Sequence, residues 1–389
     1  MNETTSKPMY RFLVLLTICS TMGLQAWQTL FDNFAVHVAG LEGRHVGAIQ
    51  SIREIPGFLT LLAVYVMLLI REHRLSALSV LILGLGLAAT GFFPSFAGLA
   101  LTTMVMSFGF HYYETTNQSL TLQYFDKTAS PWVFGRLRSA AAASNVAVGL
   151  VILALASFLE YRSIYLIIGG AIAAVGLWAC RQNPEDLSLP PQRKRMILRR
   201  RYWLYYLLSF LAGARRQIFV AFAVFLMVQR FGFSVREITI LFVVNNLVNY
   251  FLSPAIGRWI VRYGERKVLS LEYVAMAMIF TAYALTASKA VVAALYILDH
   301  VFFNFAIAIR TYFQKVGDPR DIAPSMAVGF TINHIAAVVL PVLGGLVWMV
   351  DYRLVFFAAV FLALCSLAAA QFIRLPDEEP APAPAAPRA

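Results

Sequence analysis

The chain is a succession of apolar runs, each about as long as a bilayer is thick, separated by short polar stretches. A helix needs about 20 apolar residues to cross the hydrocarbon core of a membrane. Runs of that kind lie near residues 10–38, 46–70, 75–93, 96–123, 134–158 and 163–180, and six more near 202–228, 235–261, 268–287, 290–313, 323–348 and 354–373. A water-soluble globule cannot absorb them, because 60% of the residues are hydrophobic and only 13% are charged, too few to cover so much core. In lipid every backbone N–H and C=O must be satisfied within the segment, which makes each run a helix. The expected fold is an all-α polytopic membrane protein with 12 transmembrane helices.

Charge supplies the orientation. With the N-terminus in the cytoplasm, 23 of the 32 Lys and Arg residues fall in inner loops and tails. Six, Arg44, Arg162, Arg230, Arg236, Lys289 and Arg353, fall outside, and Arg53, Arg215 and Arg216 fall within spans. That bias places both termini in the cytoplasm and the protein in a bacterial inner membrane. The net charge of +12 does not point to nucleic acid, because the positive residues sit between apolar runs and not along one amphipathic face. Lys7 and Arg11 ahead of an apolar run resemble a secretory signal, but the run continues past the cleavage-like Ala26 to about Val38. Cys19, Cys180 and Cys365 lie in apolar stretches without ligand spacing, so neither a disulfide framework nor a zinc site is expected.

The segment from Arg181 to Arg201 is the one long polar linker. It divides residues 1–180 from residues 202–374, with its basic cluster acting as a positive-inside anchor; a Pro/Ala-rich tail, 375–389, is expected to be disordered. The two parts repeat one another at an offset of 188 residues. Phe31, Phe34, Ala35 and Val36 match Phe219, Phe222, Ala223 and Val224; Tyr124, Phe125, Lys127 and Pro131 match Tyr312, Phe313, Lys315 and Pro319; Asn145 matches Asn333. Both copies of the YFxK boundary must lie on the same side, so each half holds an even number of spans, and six fits.

On these grounds the chain resembles the major facilitator superfamily over essentially its whole length, which implies two parallel six-helix halves related by an axis along the membrane normal. The stretch GRWIVRYGERK resembles that family's GxxxDRxGRR gating loop, with Gly257, Arg262, Gly264 and Arg266 in place and Val261 where the acid belongs. FGRLR, Phe134 to Arg138, is similar to the FGRxR stretch of lactose-permease-like oligosaccharide and proton symporters, whose second arginine binds sugar. Leu120 and Asn145 stand where that group has its glutamate and tryptophan, so Arg138 is carried over as substrate-binding without sugar specificity. The GP-containing fifth-helix motif of drug and proton antiporters is missing.

Polar side chains within the spans mark the site, because a buried ion costs at least about 2.5 kcal/mol and normally faces a partner or a wet cavity. The third, sixth and twelfth spans carry no charge or histidine, and the ninth has only Glu272, so in the facilitator fold these four would face lipid. The resemblance puts the first, fourth, seventh and tenth around a central cavity. Arg215 and Arg216 suit a carboxylate or phosphate clamp, or an internal ion pair with Asp32, Glu114 or Asp299. Gln28, Asn117, Asn304 and Asn333 complete the candidate substrate contacts. Glu114, His111, Asp32, Asp299 and His300 are the candidate proton carriers. Arg53 and Glu54 read as a structural pair beside a bend at Pro56.

The expected function is secondary active transport of a small polar, anionic solute by alternating access, coupled to protons, by a monomer in contact with membrane lipids and with no cofactor. Two alternatives stay open. One is movement of a metal or metal chelate on His111, Glu114, Asp32, Asp299, His300 and His334. The other is a sensor or assembly factor of the same fold that moves nothing. An enzyme is not expected, since no nucleophile elbow, phosphate loop or HExxH stretch is present.

Overall fold

The structure, a computed structural model, describes residues 3–193, 195–233 and 235–375, so all but the first residue of the Pro/Ala tail lies outside the described residues. Among these every regular element is helical. The elements are α1 (Glu3–His37), α2 (Gly43–Phe58), α3 (Ala63–Val66), α4 (Glu72–Thr90), α5 (Phe96–Tyr124), α6 (Ser130–Leu155), α7 (Tyr161–Cys180), α8 (Trp203–Phe231), α9 (Val235–Tyr263), α10 (Glu265–Leu285), α11 (Lys289–Phe303), α12 (Ile307–Val316), α13 (Ile322–Val350) and α14 (Tyr352–Ala370).

Local chemistry sets the breaks. Ser95 and Ser288 cap α5 and α11 by accepting the N–H of Gly98 at 3.1 Å and of Val291 at 3.4 Å. Gly264, at φ +80°, takes a backbone conformation that side chains disfavour and lets α9 turn directly into α10. Three residues after Pro56, α2 tightens into the 3-10 turn Leu59–Leu62 before α3, and Thr60 donates to the carbonyls that the turn loosens, Pro56 at 3.0 Å and Gly57 at 2.8 Å. A second 3-10 turn, Asn304–Ala306, joins α11 to α12. Each apolar run of the sequence corresponds to one helix or one such composite rod.

Among the described residues ten helical segments are long and apolar enough to cross a membrane. The fourth and eleventh runs form α5 and α13, which are not among the ten but have 29 residues each, about 44 Å at 1.5 Å per residue. In α5 the cause is composition, since it spends apolar positions on His111, Glu114, Asn117 and Gln118. One hydrophobic core draws all its buried members from residues 9–179; the other two draw on residues 197–373, apart from Leu122 and Phe134. Between α1–α7 and α8–α14, α6 packs along α9, and α13 packs along α2 and α5.

The polar linker is pinned at both ends. Asp321, fully buried at the start of α13, receives Arg193 and Arg199 and the Tyr202 hydroxyl, the last at 2.7 Å. Gln192 donates to the Pro319 carbonyl at 2.8 Å and accepts from the Ala323 N–H at 3.0 Å. On the other side Arg71 pairs with Glu185, and the Tyr124 hydroxyl accepts the Asp186 N–H. Three arginines of the basic cluster, Arg193, Arg199 and Arg201, thus converge on one carboxylate, and Arg193 reaches Asp318 as well. Asp321→Ala should free the linker at a cost of at most about 3 kcal/mol, since its arginines remain part-solvated. Limited trypsin digestion checks this: cleavage between Arg193 and Arg201 should become fast while Asp186→Ala leaves it slow.

Candidate functional site

A cavity of about 550 Å³ lies between α1–α7 and α8–α14. Its walls come from α1, α2, α5, α6, α8, α9, α11, α12, α13 and the turn between α11 and α12, and none from α4, α7, α10 or α14. The four spans poor in charge are those that stay out of it. The cavity takes α2, α6, α9 and α13 in addition to the four helices that the resemblance implies.

Four guanidiniums line this space, those of Arg53, Arg138, Arg216 and Arg310, against two carboxylates, Glu54 and Glu114. Arg53 is spoken for: its Nη2 lies 2.7 Å from Glu54 Oε1, and its guanidinium sits 5.2 Å from the Trp27 ring centroid. Arg138 donates from Nε to Asn304 Oδ1 at 2.9 Å, and Asn304 in turn donates to Asn249 at 2.7 Å. Arg310 lies 5.6 Å from the Phe134 ring, and Arg216 Nη2 lies 3.4 Å from His334 Nε2. Among the described residues Arg138, Arg216 and Arg310 make no ion pair with a carboxylate, so positive charge is in excess on the cavity wall.

Beside Arg216 three titratable groups converge. His111 and His334 meet edge to face with ring centroids 5.2 Å apart, and their ligand atoms and that of Glu54 lie within 4.8 Å of one another. The Nδ1 atoms are engaged, His111 with Ser107 O at 2.9 Å and His334 with Phe330 O at 2.8 Å; as N–H donors they leave each Nε2 an acceptor, and that of His334 faces Arg216 Nη2. Gly57, one turn after Glu54, makes room for them: a Cβ there would fall 2.6 Å from His334 and 2.9 Å from His111.

The cavity is closed on the side where the linker lies. A Cβ on Gly135 of α6 would stand 2.4 Å from the Ser253 carbonyl oxygen of α9, and one on Gly257 would stand 2.3 Å from that of Pro131. Gln314 accepts from Ser130 at 2.5 Å and donates to the carbonyls of Leu122 and Phe125 at 2.7 Å each. Ser139 donates to the Tyr250 carbonyl at 2.6 Å.

Of the side chains selected from sequence, Gln28, Asn117, Arg138, Arg216, Asn304, Asn333, Glu114, His111 and His300 line the cavity. Arg215 and Asp299 lie behind its wall, and Arg215 pairs with Glu272 at 3.0 Å instead of with Asp32, Glu114 or Asp299. Asp32 is exposed near the far end of α1 and does not line the cavity. Arg53 and Glu54, read as a structural pair, form that pair at 2.7 Å, and both line the cavity. Gly257, Arg262, Gly264 and Arg266 cluster at the linker end of α9 and α10, where Arg266 donates to Gln371 at 3.1 Å. The missing acid at Val261 has a neighbour in Glu265, fully buried and paired with Lys315 at 2.7 Å. Arg310, like Arg138, is a cavity residue that charge counting places in a loop. It lies within the tenth apolar run, and that was the available signal.

The family model of the Major Facilitator Superfamily matches residues 11–319 and again 205–389. This chain belongs to the Major Facilitator Superfamily. It is a multi-pass membrane protein of a transporter family. Solved superfamily structures share its fold at low identity. The human organic anion transporter MFSD10 (TETRAN) superposes with a TM-score of 0.77 at 12% identity, covering 94% of this chain and 99% of that one. The Escherichia coli fucose:proton symporter FucP gives 0.74 at 12%, covering 94% and 98%. A bacterial homologue of the iron transporter ferroportin in an outward-facing state gives 0.71 at 16%, covering 93% and 98%. No curated protein sequence matches the chain.

Proposed function

We propose that this facilitator-superfamily protein moves a small polar, anionic solute across a bacterial inner membrane by alternating access, coupled to protons. It does so as a monomer of 12 membrane-spanning helices in two six-helix halves, residues 1–180 and 202–374. The linker end and both termini face the cytoplasm in this reading, and the closed linker side makes the conformation outward-open. One observation carries the choice of an anion: among the described residues Arg138, Arg216 and Arg310 line the cavity in no ion pair, with Glu114 the one unpaired carboxylate on the wall against three guanidiniums. A bound carboxylate or phosphate would supply the charge they lack, with the bidentate geometry guanidinium favours. That the organic anion transporter shares the fold is in keeping with it. Reconstituted in liposomes, the protein should take up at least one member of a panel of labelled organic anions, faster with a pH gradient than without. A panel that stays outside at every gradient would sink the reading.

The cluster of Glu54, His111 and His334 supports a second reading, in which the cargo is a divalent metal or its chelate. Two imidazole Nε2 atoms and one carboxylate suit a borderline transition metal. The guanidiniums of Arg53 and Arg216 beside them weigh the other way. On this reading manganese, iron or zinc raises the unfolding temperature of the native protein and leaves His111→Ala unchanged. Equal curves with and without metal would remove it.

A further inference from the structure

Two features of the cavity meet at Arg216. Its Nη2 donates to His334 Nε2 at 3.4 Å, so a guanidinium without a carboxylate covers one imidazole of the Glu54, His111 and His334 cluster. Both hydrogen bonds from Arg53 to Glu54 end on Oε1, at 2.7 and 3.2 Å, which leaves Oε2 to the cluster. The Ser107 hydroxyl gives its proton to the Arg53 carbonyl at 2.5 Å, so His111 Nδ1 is the donor toward Ser107 and Nε2 keeps its lone pair. Two imidazole nitrogens and one carboxylate oxygen suit a borderline transition metal. Three protein ligands also leave a position open for an atom of the cargo.

Charge decides against the bare ion. Arg53, Arg138, Arg216 and Arg310 stand against Glu54 and Glu114 on the cavity wall, an excess of two positive charges, and the charged groups facing the two imidazoles are Arg53, Arg216 and Glu54. A divalent cation alone would raise that excess to four and would meet Arg216 over His334. A carboxylate does the opposite. It draws Arg216 into a bidentate pair, which uncovers His334 Nε2. A divalent ion carried by a tricarboxylate brings one net negative charge and lowers the excess to one.

We propose that the cargo is a divalent transition metal bound to a small polycarboxylate, with the metal on His111 Nε2, His334 Nε2 and Glu54 Oε2 and a carboxylate of the chelator on Arg216. This deepens the reading of anion transport and rests on it. Glu54 and His111 belong to α2 and α5, and His334 to α13, so the metal joins the two halves where they touch. Thr331, one turn before His334, donates there to the carbonyl of Phe58 at the end of α2, at 3.1 Å. Parting α13 from α2 and α5 takes His334 away from the other two ligands and releases metal and chelator together.

Thermal unfolding of the purified full-length protein with zinc and citrate, apart and together, tests the site. Zinc citrate should raise the unfolding temperature of the native protein by more than the separate effects of zinc and citrate combined. In His334→Ala zinc citrate should do no more than citrate. Arg216→Leu uncovers His334 whatever the chelator, so by calorimetry zinc alone should bind this variant about tenfold more tightly than the native protein, the lower end of what groups around a metal site change. Adding His334→Ala to Arg216→Leu should abolish that gain. Separate effects that merely add, an unchanged zinc affinity in Arg216→Leu, or a zinc effect that survives His334→Ala overturns the assignment. Zinc alone stabilising the native protein as strongly as zinc citrate overturns it in favour of a bare cation. Liposomes then separate the site from the anion reading. Labelled citrate that enters equally with and without zinc, while no zinc follows, removes the chelate and keeps anion transport. A protein that passes the zinc tests but moves neither label loses the transport reading and keeps the site.

Discussion

Replacing Arg216 by leucine should raise the concentration of an anionic solute needed for half-maximal uptake about 100-fold, near 3 kcal/mol, the usual order for removing one side of a desolvated charge pair. Arg216→Lys should recover part of this, because the ammonium keeps the charge and loses the fork. The neighbouring substitution should behave differently. Arg215→Leu leaves Glu272 without its partner in a fully buried position, a loss of about 3–5 kcal/mol of stability. Uptake kinetics and thermal unfolding, measured on both variants, separate the two arginines. Equal effects of the two on solute affinity, with stability unchanged in both, would mean that the cavity wall does not divide them as described.

The second large effect concerns closure at the linker side. Gly257→Leu places a side chain about an ångström inside contact with the Pro131 carbonyl, a backbone atom that cannot swing aside. Overpacking of this kind costs about 3 kcal/mol at most, and it falls only on the conformation in which α6 and α9 touch. The population should therefore move about 100-fold toward a state open at the linker end. Distances between spin labels on the linker ends of α6 and α9 report it directly. They should lengthen in Gly257→Leu and stay short in Arg262→Ala, whose guanidinium lies over the exposed ring of Tyr263. Gly257, which the gating-loop resemblance singles out, thus has a steric role of its own, and Glu265, the acid of this loop, pairs with Lys315 at the start of α10.

Much of this molecule was legible from its sequence because lipid leaves the chain few options. Apolar runs become helices, and charge inside a run marks a wall or a partner, as His111, Glu114 and Arg216 illustrate. What was not legible depends on which helices meet. Glu272 looks like an isolated acid near the start of a span until α10 is laid beside α8, where it becomes the partner of Arg215. Arg138 and Arg310 count as loop charges by position; the FGRLR resemblance recovers Arg138, and only the depth of the cavity reveals that Arg310 lies on its wall. Adjacent residues were the other blind spot. Arg215 and Arg216, read together as one clamp, part at the cavity wall, whereas Arg53 and Glu54, read as a structural pair, do form one ion pair, and that pair lines the cavity.

Alternating access through the space between the halves is the claim on which the rest depends. Ser130 and Gln314 meet across the halves on the linker side of the cavity, and cysteines placed at these two positions can be bridged by a short bifunctional thiol reagent. Uptake of an organic anion by liposomes carrying the Ser130→Cys, Gln314→Cys protein should proceed before bridging, stop after it, and return when the bridge is cleaved. Uptake that continues at the same rate with the halves tied together would contradict the account.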